Sequence, residues 1–133
     1  MNPVELLLAN LPQSFRHEHV ELKKAGITTW QAVQDLDDSQ LSKLARSGRA
    51  SARNLHRLRG MAALVCQLNL MPQDAALLMH AGIASTQVLA SCTPERLVRQ
   101  TGRLERMLHT GRPAVVDLRT AGDWIRRARQ LQN

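Results

Sequence analysis

The sequence predicts an all-α chain in which two tandem copies of one short-helix unit pack into one compact domain. The first observation is a repeat: Leu22-Lys23-Lys24-Ala25-Gly26-Ile27 returns as Leu78-Met79-His80-Ala81-Gly82-Ile83 at an offset of 56. The match runs without a gap through Gln31/Gln87, Val33/Leu89 and Leu41/Leu97, keeping polar and apolar positions in step. The second is that Leu11-Pro12-Gln13 pairs with Met71-Pro72-Gln73, and Leu58-Arg59 with Leu118-Arg119, at an offset of 60, so each copy gains or loses four residues in a loop. The third is that apolar residues recur at three-to-four spacing and no segment alternates as a strand does. The copies cover about residues 1–68 and 69–133. Two copies are fewer than the three or more that an open solenoid needs, which points to a closed pair.

Each helix has its local signal. Val4, Leu7, Leu8 and Leu11 follow Pro3 at helical spacing, and Pro12 stops the run. A second helix is expected over Arg16 to Lys24, ending at Gly26, where a residue without Cβ takes the left-handed turn. Thr28 or Thr29 caps a third through Val33 and Leu36, and Asp37-Asp38-Ser39 offers caps for a fourth containing Leu41 and Leu44. A longer helix fits residues 51 to about 70, with Leu55, Leu58, Ala62 and Val65 on one side and Arg53 and Arg57 opposite. In the second copy Pro72-Gln73-Asp74 opens a helix that Gly82 ends, Ser85 or Thr86 opens the next, and Thr93-Pro94-Glu95 supplies cap, first-position proline and first-turn acid. A last helix from about Pro113 to Leu131 places Val115, Leu118, Gly122, Ile125 and Ala128 on one stripe, with Asp123 four residues before Arg127.

Charge narrows the function. The formal net charge is +7, which favours a polyanion or an acidic protein surface as partner. No carboxylate lies between Asp38 and Asp74, while Lys43, Arg46, Arg49, Arg53, Arg57 and Arg59 fall inside that window. Cys66 and Cys92 have no CxxC or Cys/His spacing, so buried free thiols in a reducing compartment are expected. No apolar run approaches the ~20 residues of a membrane span, and the opening lacks the basic start of a signal peptide, so the expectation is cytoplasmic with no membrane partner.

The helix, Ala-Gly-Ile, short helix, polar cap and glycine hairpin before a basic helix resemble the helix-hairpin-helix group of DNA-binding and DNA-repair domains. More narrowly, Ala81-Gly82-Ile83, Leu97-Val98-Arg99-Gln100, Arg103-Leu104 and Trp124-Ile125-Arg126-Arg127-Ala128-Arg129 are similar to a cyanobacterial family catalogued as domain of unknown function 4332, whose biochemical role is not established. The wider group carries Gly-x-Gly at its phosphate-binding hairpin; Arg46-Ser47-Gly48-Arg49-Ala50-Ser51 keeps one of the two glycines. Such a hairpin brings backbone N–H groups at a helix N-terminus close to a phosphate. Thr101-Gly102-Arg103 and Thr110-Gly111-Arg112 repeat the hydroxyl, glycine, arginine order. The candidate nucleic-acid-binding residues are therefore Arg46, Gly48, Arg49, Arg53, Arg57, Gly102, Arg103, Gly111 and Arg112. Arg49, Arg53 and Arg57 form a ladder for successive phosphates, a contact that positions a protein without reading bases. The plainer alternative is that the glycines only end helices and the arginines are a solvated face.

Catalysis has no sequence support. His17 and His19 do not share a helical face, and His56, His80 and His109 have no acidic or cysteine partners nearby, so no metal or cofactor is expected. Asp35, Asp37 and Asp38 read as helix-cap chemistry rather than an acidic metal loop. Phe15, Trp30 and Trp124 are the only aromatics, too few for base stacking on single strands. Trp124 is expected in the core, and Trp30, replaced by Thr86 in the other copy, is the better candidate for a partner contact unless it covers the core. The expected partner is nucleic acid, DNA ahead of RNA, and the alternative is an acidic protein bound by a helical adaptor.

Overall fold

The computed structural model describes residues 11–108 and 116–132, all helical or turn, with no strand among them. The chain divides into two compact units, Met1–Ala75 and Ala76–Asn133, and the division falls inside a helix. The expected opening helix lies, apart from Leu11, outside the described residues.

The first unit begins with a 3-10 turn, Gln13–Phe15, that runs into α1, Arg16–Lys24. Phe15 and Leu22 are buried, since positions four and seven apart share a face. Helix α1 ends in a Schellman turn: Gly26 N–H donates to Lys23 O (3.0 Å) and Ile27 N–H to Leu22 O (2.9 Å), with Gly26 at φ +80. Thr29 Oγ1 accepts from Ala32 N–H (3.1 Å) and so caps α2, Trp30–Gln34. Asp37, not Asp38, caps α3, Asp38–Ala45, in a full capping box: its Oδ1 accepts from Gln40 N–H (2.7 Å) and Gln40 Oε1 accepts from Asp37 N–H (2.9 Å). Helix α4, Ala52–Leu68, packs on α2 and α3. Its buried side is wider than the expected stripe, for Met61, Leu64 and Leu68 join Leu55, Leu58, Ala62 and Val65. Burying each large side chain contributes about 1.5–3 kcal/mol. Asn69, left-handed at φ 60, ends α4; asparagine tolerates that region when glycine is absent.

Helix α5, Pro72–His80, carries the chain into the second unit. There the local chemistry of α1 and α2 recurs. Gly82 N–H donates to Met79 O (3.0 Å) and Ile83 N–H to Leu78 O (2.8 Å), and Ser85 Oγ accepts from Val88 N–H (3.1 Å) at the start of α6, Thr86–Ala90. Helices α7, Pro94–Leu108, and α8, Leu118–Leu131, pack on each other, and α6 packs on α8. The last helix starts later than the sequence suggested, because Asp117 Oδ1 takes the N-cap by accepting from Thr120 N–H (2.7 Å). Leu118 consequently faces solvent, and the buried stripe is Ala121, Trp124, Ile125 and Ala128; Val115 lies outside the described residues.

Trp30 is a correction. It is 0% exposed, the largest fully buried side chain, and so is core and not a partner contact. Its indole N–H has no hydrogen-bond partner among the described residues. Trp124 is buried as expected. No helix among the described residues is long and apolar enough to cross a membrane.

Candidate nucleic-acid interface

The site lies where α3 gives way to α4. Arg46 is the C-cap of α3, and the chain reverses over Ser47, Gly48 and Arg49, all exposed. Gly48 sits at φ +79, a conformation that a residue with Cβ adopts only under strain. Ala50 then turns inward, 4% exposed, and anchors the loop in the core. Ser51 caps α4 by accepting from Asn54 N–H (3.3 Å).

Because the apolar side of α4 is fixed against α2 and α3, its other side is fixed toward solvent. Arg53 is exposed and Arg57 half-buried, one turn apart and separated by about 6 Å along the axis. Arg46 and Arg49 sit at the preceding turn. None of the four has an ion-pair partner among the described residues. Arg59, from the same basic window, is different: it pairs with Asp38 Oδ1 (2.9 Å), donates to Leu36 O (3.0 Å) and donates to His56 Nδ1 (3.1 Å). Arg59 ties α4 to the start of α3 and is not a rung of the ladder.

Three backbone amides of the hairpin and helix start already have acceptors. Gly48 N–H donates to Ala45 O (3.1 Å), Arg49 N–H to Ser47 Oγ (3.2 Å) and Ser51 N–H to Glu18 Oε2 (2.9 Å). The contacts available to a polyanion here are guanidinium groups. Glu18 is the residue that sequence reasoning missed. It is 2% exposed, and its other oxygen accepts from Asn54 Nδ2 (3.2 Å). The signal was present: Glu18 stands three residues after Phe15 and four before Leu22, on the apolar face of α1. An open cleft of about 600 Å³ adjoins the turn, lined by His17, Val20 and Glu21 of α1 with Gly48 and Arg49.

The triplet Thr101-Gly102-Arg103 does not make a hairpin. Gly102 and Arg103 lie inside α7, where Thr101 is buried and its hydroxyl donates to Leu97 O (2.9 Å), the usual back-bond of a mid-helix threonine. Gly111 and Arg112 lie outside the described residues. On α8, Arg126 and Arg127 both pair with Asp123, and Arg129 donates to Ala90 O (3.0 Å) and Cys92 O (3.3 Å).

No group of three or more His, Cys, Asp or Glu that could hold a metal comes together among the described residues. Burial pushes the Cys66 thiol up from its ordinary value, and the charge of Asp35 adds to the effect, which leaves it a poor nucleophile. Cys92 is buried, with its Sγ 3.3 Å from Val88 O. At α8 the Asp117 carboxyl is held below the usual range, first by the Thr120 backbone N–H.

No curated protein and no solved structure matches the chain. Residues 12–131, nearly its whole length, match the family described as Domain of unknown function (DUF4332), and the chain belongs to that family.

Proposed function

We propose that this protein is a non-enzymatic nucleic-acid-binding module, built as two tandem helix-hairpin-helix-like repeats, that contacts duplex DNA without strong sequence preference. The observation that carries the reading is the set Arg46, Arg49, Arg53 and Arg57. It clusters at one turn and the first two turns of α4, with no ion-pair partner among the described residues. A guanidinium meets phosphate oxygens with two donors at once, and such contacts position a protein on the backbone of any sequence. Gly48 shapes the turn that presents Arg46 and Arg49, while the first repeat carries the binding surface.

Fluorescence anisotropy with labelled duplex DNA, single-stranded DNA and duplex RNA at two salt concentrations tests this. Expected is duplex binding that weakens steeply with salt and equally for unrelated sequences. Binding that ignores salt, or that survives Arg53→Glu with Arg57→Glu, overturns it. The second reading is an adaptor for an acidic protein, favoured by Val20, 51% exposed in the cleft beside Arg49, which gives that surface an apolar centre. Salt-sensitive co-purification of a protein that persists after nuclease treatment selects it.

A further inference from the structure

An anion already occupies the N-terminus of α4, and it belongs to the chain itself. Helix α4 has no acidic residue in its first turn, so beyond the Ser51 cap no local negative charge offsets the partial positive charge of its first N–H groups. Glu18 arrives from α1, 33 residues earlier in sequence, and accepts Ser51 N–H at 2.9 Å. Its second oxygen takes Asn54 Nδ2 at 3.2 Å, and that amide also donates to Ser14 O at 3.4 Å. At 2% exposure the carboxylate is shielded from solvent, so its charge acts on α4 with little screening. It has the sign of a phosphate and holds the Ser51 N–H, one of the donors a phosphate oxygen would seek there.

We propose that Glu18 is a specificity-determining and positioning residue: it fixes the Gly48 turn and the start of α4 against α1, and it excludes nucleic-acid phosphate from that helix end. This rests on the reading of the arginine set as a nucleic-acid surface. Binding then runs through the guanidinium groups of Arg46, Arg49, Arg53 and Arg57, because Glu18 holds the Ser51 amide and its charge opposes a phosphate at the rest of the first turn. The partner is a nucleic-acid backbone on which the protein is free to shift position.

The test combines amide NMR with binding. Millimolar inorganic phosphate added to the wild type, compared with sodium chloride of equal ionic strength, is expected to leave the Ser51, Ala52 and Arg53 amides unmoved, and duplex DNA to perturb the arginine Nε–H signals instead. Movement of those three amides overturns the exclusion, even if no variant folds. Glu18→Gln keeps the shape and removes the charge: duplex affinity is expected to rise about three- to tenfold at low salt, and phosphate to move the same amides. Glu18→Asp restores the wild-type response, and Glu95→Gln on α7 supplies an equal change in net charge without effect on those amides. A Glu18→Gln protein that folds, binds DNA more weakly and still ignores phosphate reduces Glu18 to a structural tie. If the wild type binds no nucleic acid while the phosphate results hold, the reading of the arginines fails and the assignment of Glu18 stands.

Discussion

Helices α4 and α8 are both arginine-rich, yet they differ in what their charges are free to do. On α8, Arg126 and Arg127 share Asp123, and Arg129 is committed to the carbonyls of Ala90 and Cys92. On α4, Arg53 and Arg57 have no ion-pair partner among the described residues, and only Arg59 is consumed by structure. Counting cations therefore does not locate a polyanion surface. What matters is which guanidinium groups the fold leaves unpaired.

The comparison breaks most readily on charge reversal. Replacing Arg49, Arg53 and Arg57 by Glu is expected to lower duplex affinity by about a hundred- to a thousandfold and to flatten the salt slope by about three, since each phosphate contact contributes about 0.9. Arg126→Gln with Arg127→Gln on α8 is expected to shift affinity by less than about threefold, because exposed pairs of that kind carry little energy. Equal losses in the two variants, read by anisotropy, would erase the distinction between the helices.

A second difference is packing. Trp30 opens α2 at 0% exposure, whereas Thr86, 56 residues later, opens α6 half-buried. Trp30→Thr is expected to cost about 3 kcal/mol in urea unfolding through the cavity it leaves. Trp30→Phe is expected to cost far less, because the indole N–H it removes has no partner among the described residues. A large loss for Trp30→Phe would mean that the N–H is satisfied after all.

The same substitution at two glycines sharpens the contrast further. Gly48→Ala forces a Cβ into φ +79 and is expected to cost about 1 kcal/mol, although nothing lies within 4 Å of that Cβ. Gly122, inside α8 and equally uncrowded, is expected to gain about 0.5–1 kcal/mol as Ala, from helix propensity. Thermal unfolding decides the signs.

The smallest effect concerns pH. The Asp117 carboxyl titrates below its ordinary value because its charged form accepts the Thr120 N–H, so its contribution is present above the unfolded-state value near 4 and fades as pH falls through the lower folded one. Asp117→Asn keeps a competent cap without the charge. Its difference in melting temperature from the wild type is expected to shrink steadily below about pH 4.

Much of the fold was legible because its signals are local. Gly26, Gly82, Thr29 and Ser85 act through residues within five positions of themselves, so their roles as stops and caps can be read directly from sequence. The order of hydroxyl, glycine and arginine misled at Thr101-Gly102-Arg103, because α7 runs through that tripeptide with Leu97 and Thr101 buried on one side. A favourable packing face overrode a weak turn signal. Leu118 was misplaced for the opposite reason: Asp117 is the stronger cap, and starting the helix there leaves Leu118 outside the buried face.

The sequence by itself determined the helical class, the recurrence of one turn-and-cap chemistry 56 residues apart, and the carboxylate-free basic window. Tertiary structure alone decided how that window is used. It placed Glu18 at the α4 N-terminus, spent Arg59 on Leu36 and Asp38, and left Arg46, Arg49, Arg53 and Arg57 without an ion-pair partner among the described residues. The carbonyls of Leu36 and Cys92, which stand 56 residues apart, show the same limit: each accepts from an arginine of a long helix, Arg59 in one unit and Arg129 in the other, and those two arginines are not aligned by the repeat. Helix propensity and capping depend on neighbours along the chain, whereas the pairing of a charge depends on what folding brings within about 4 Å of it.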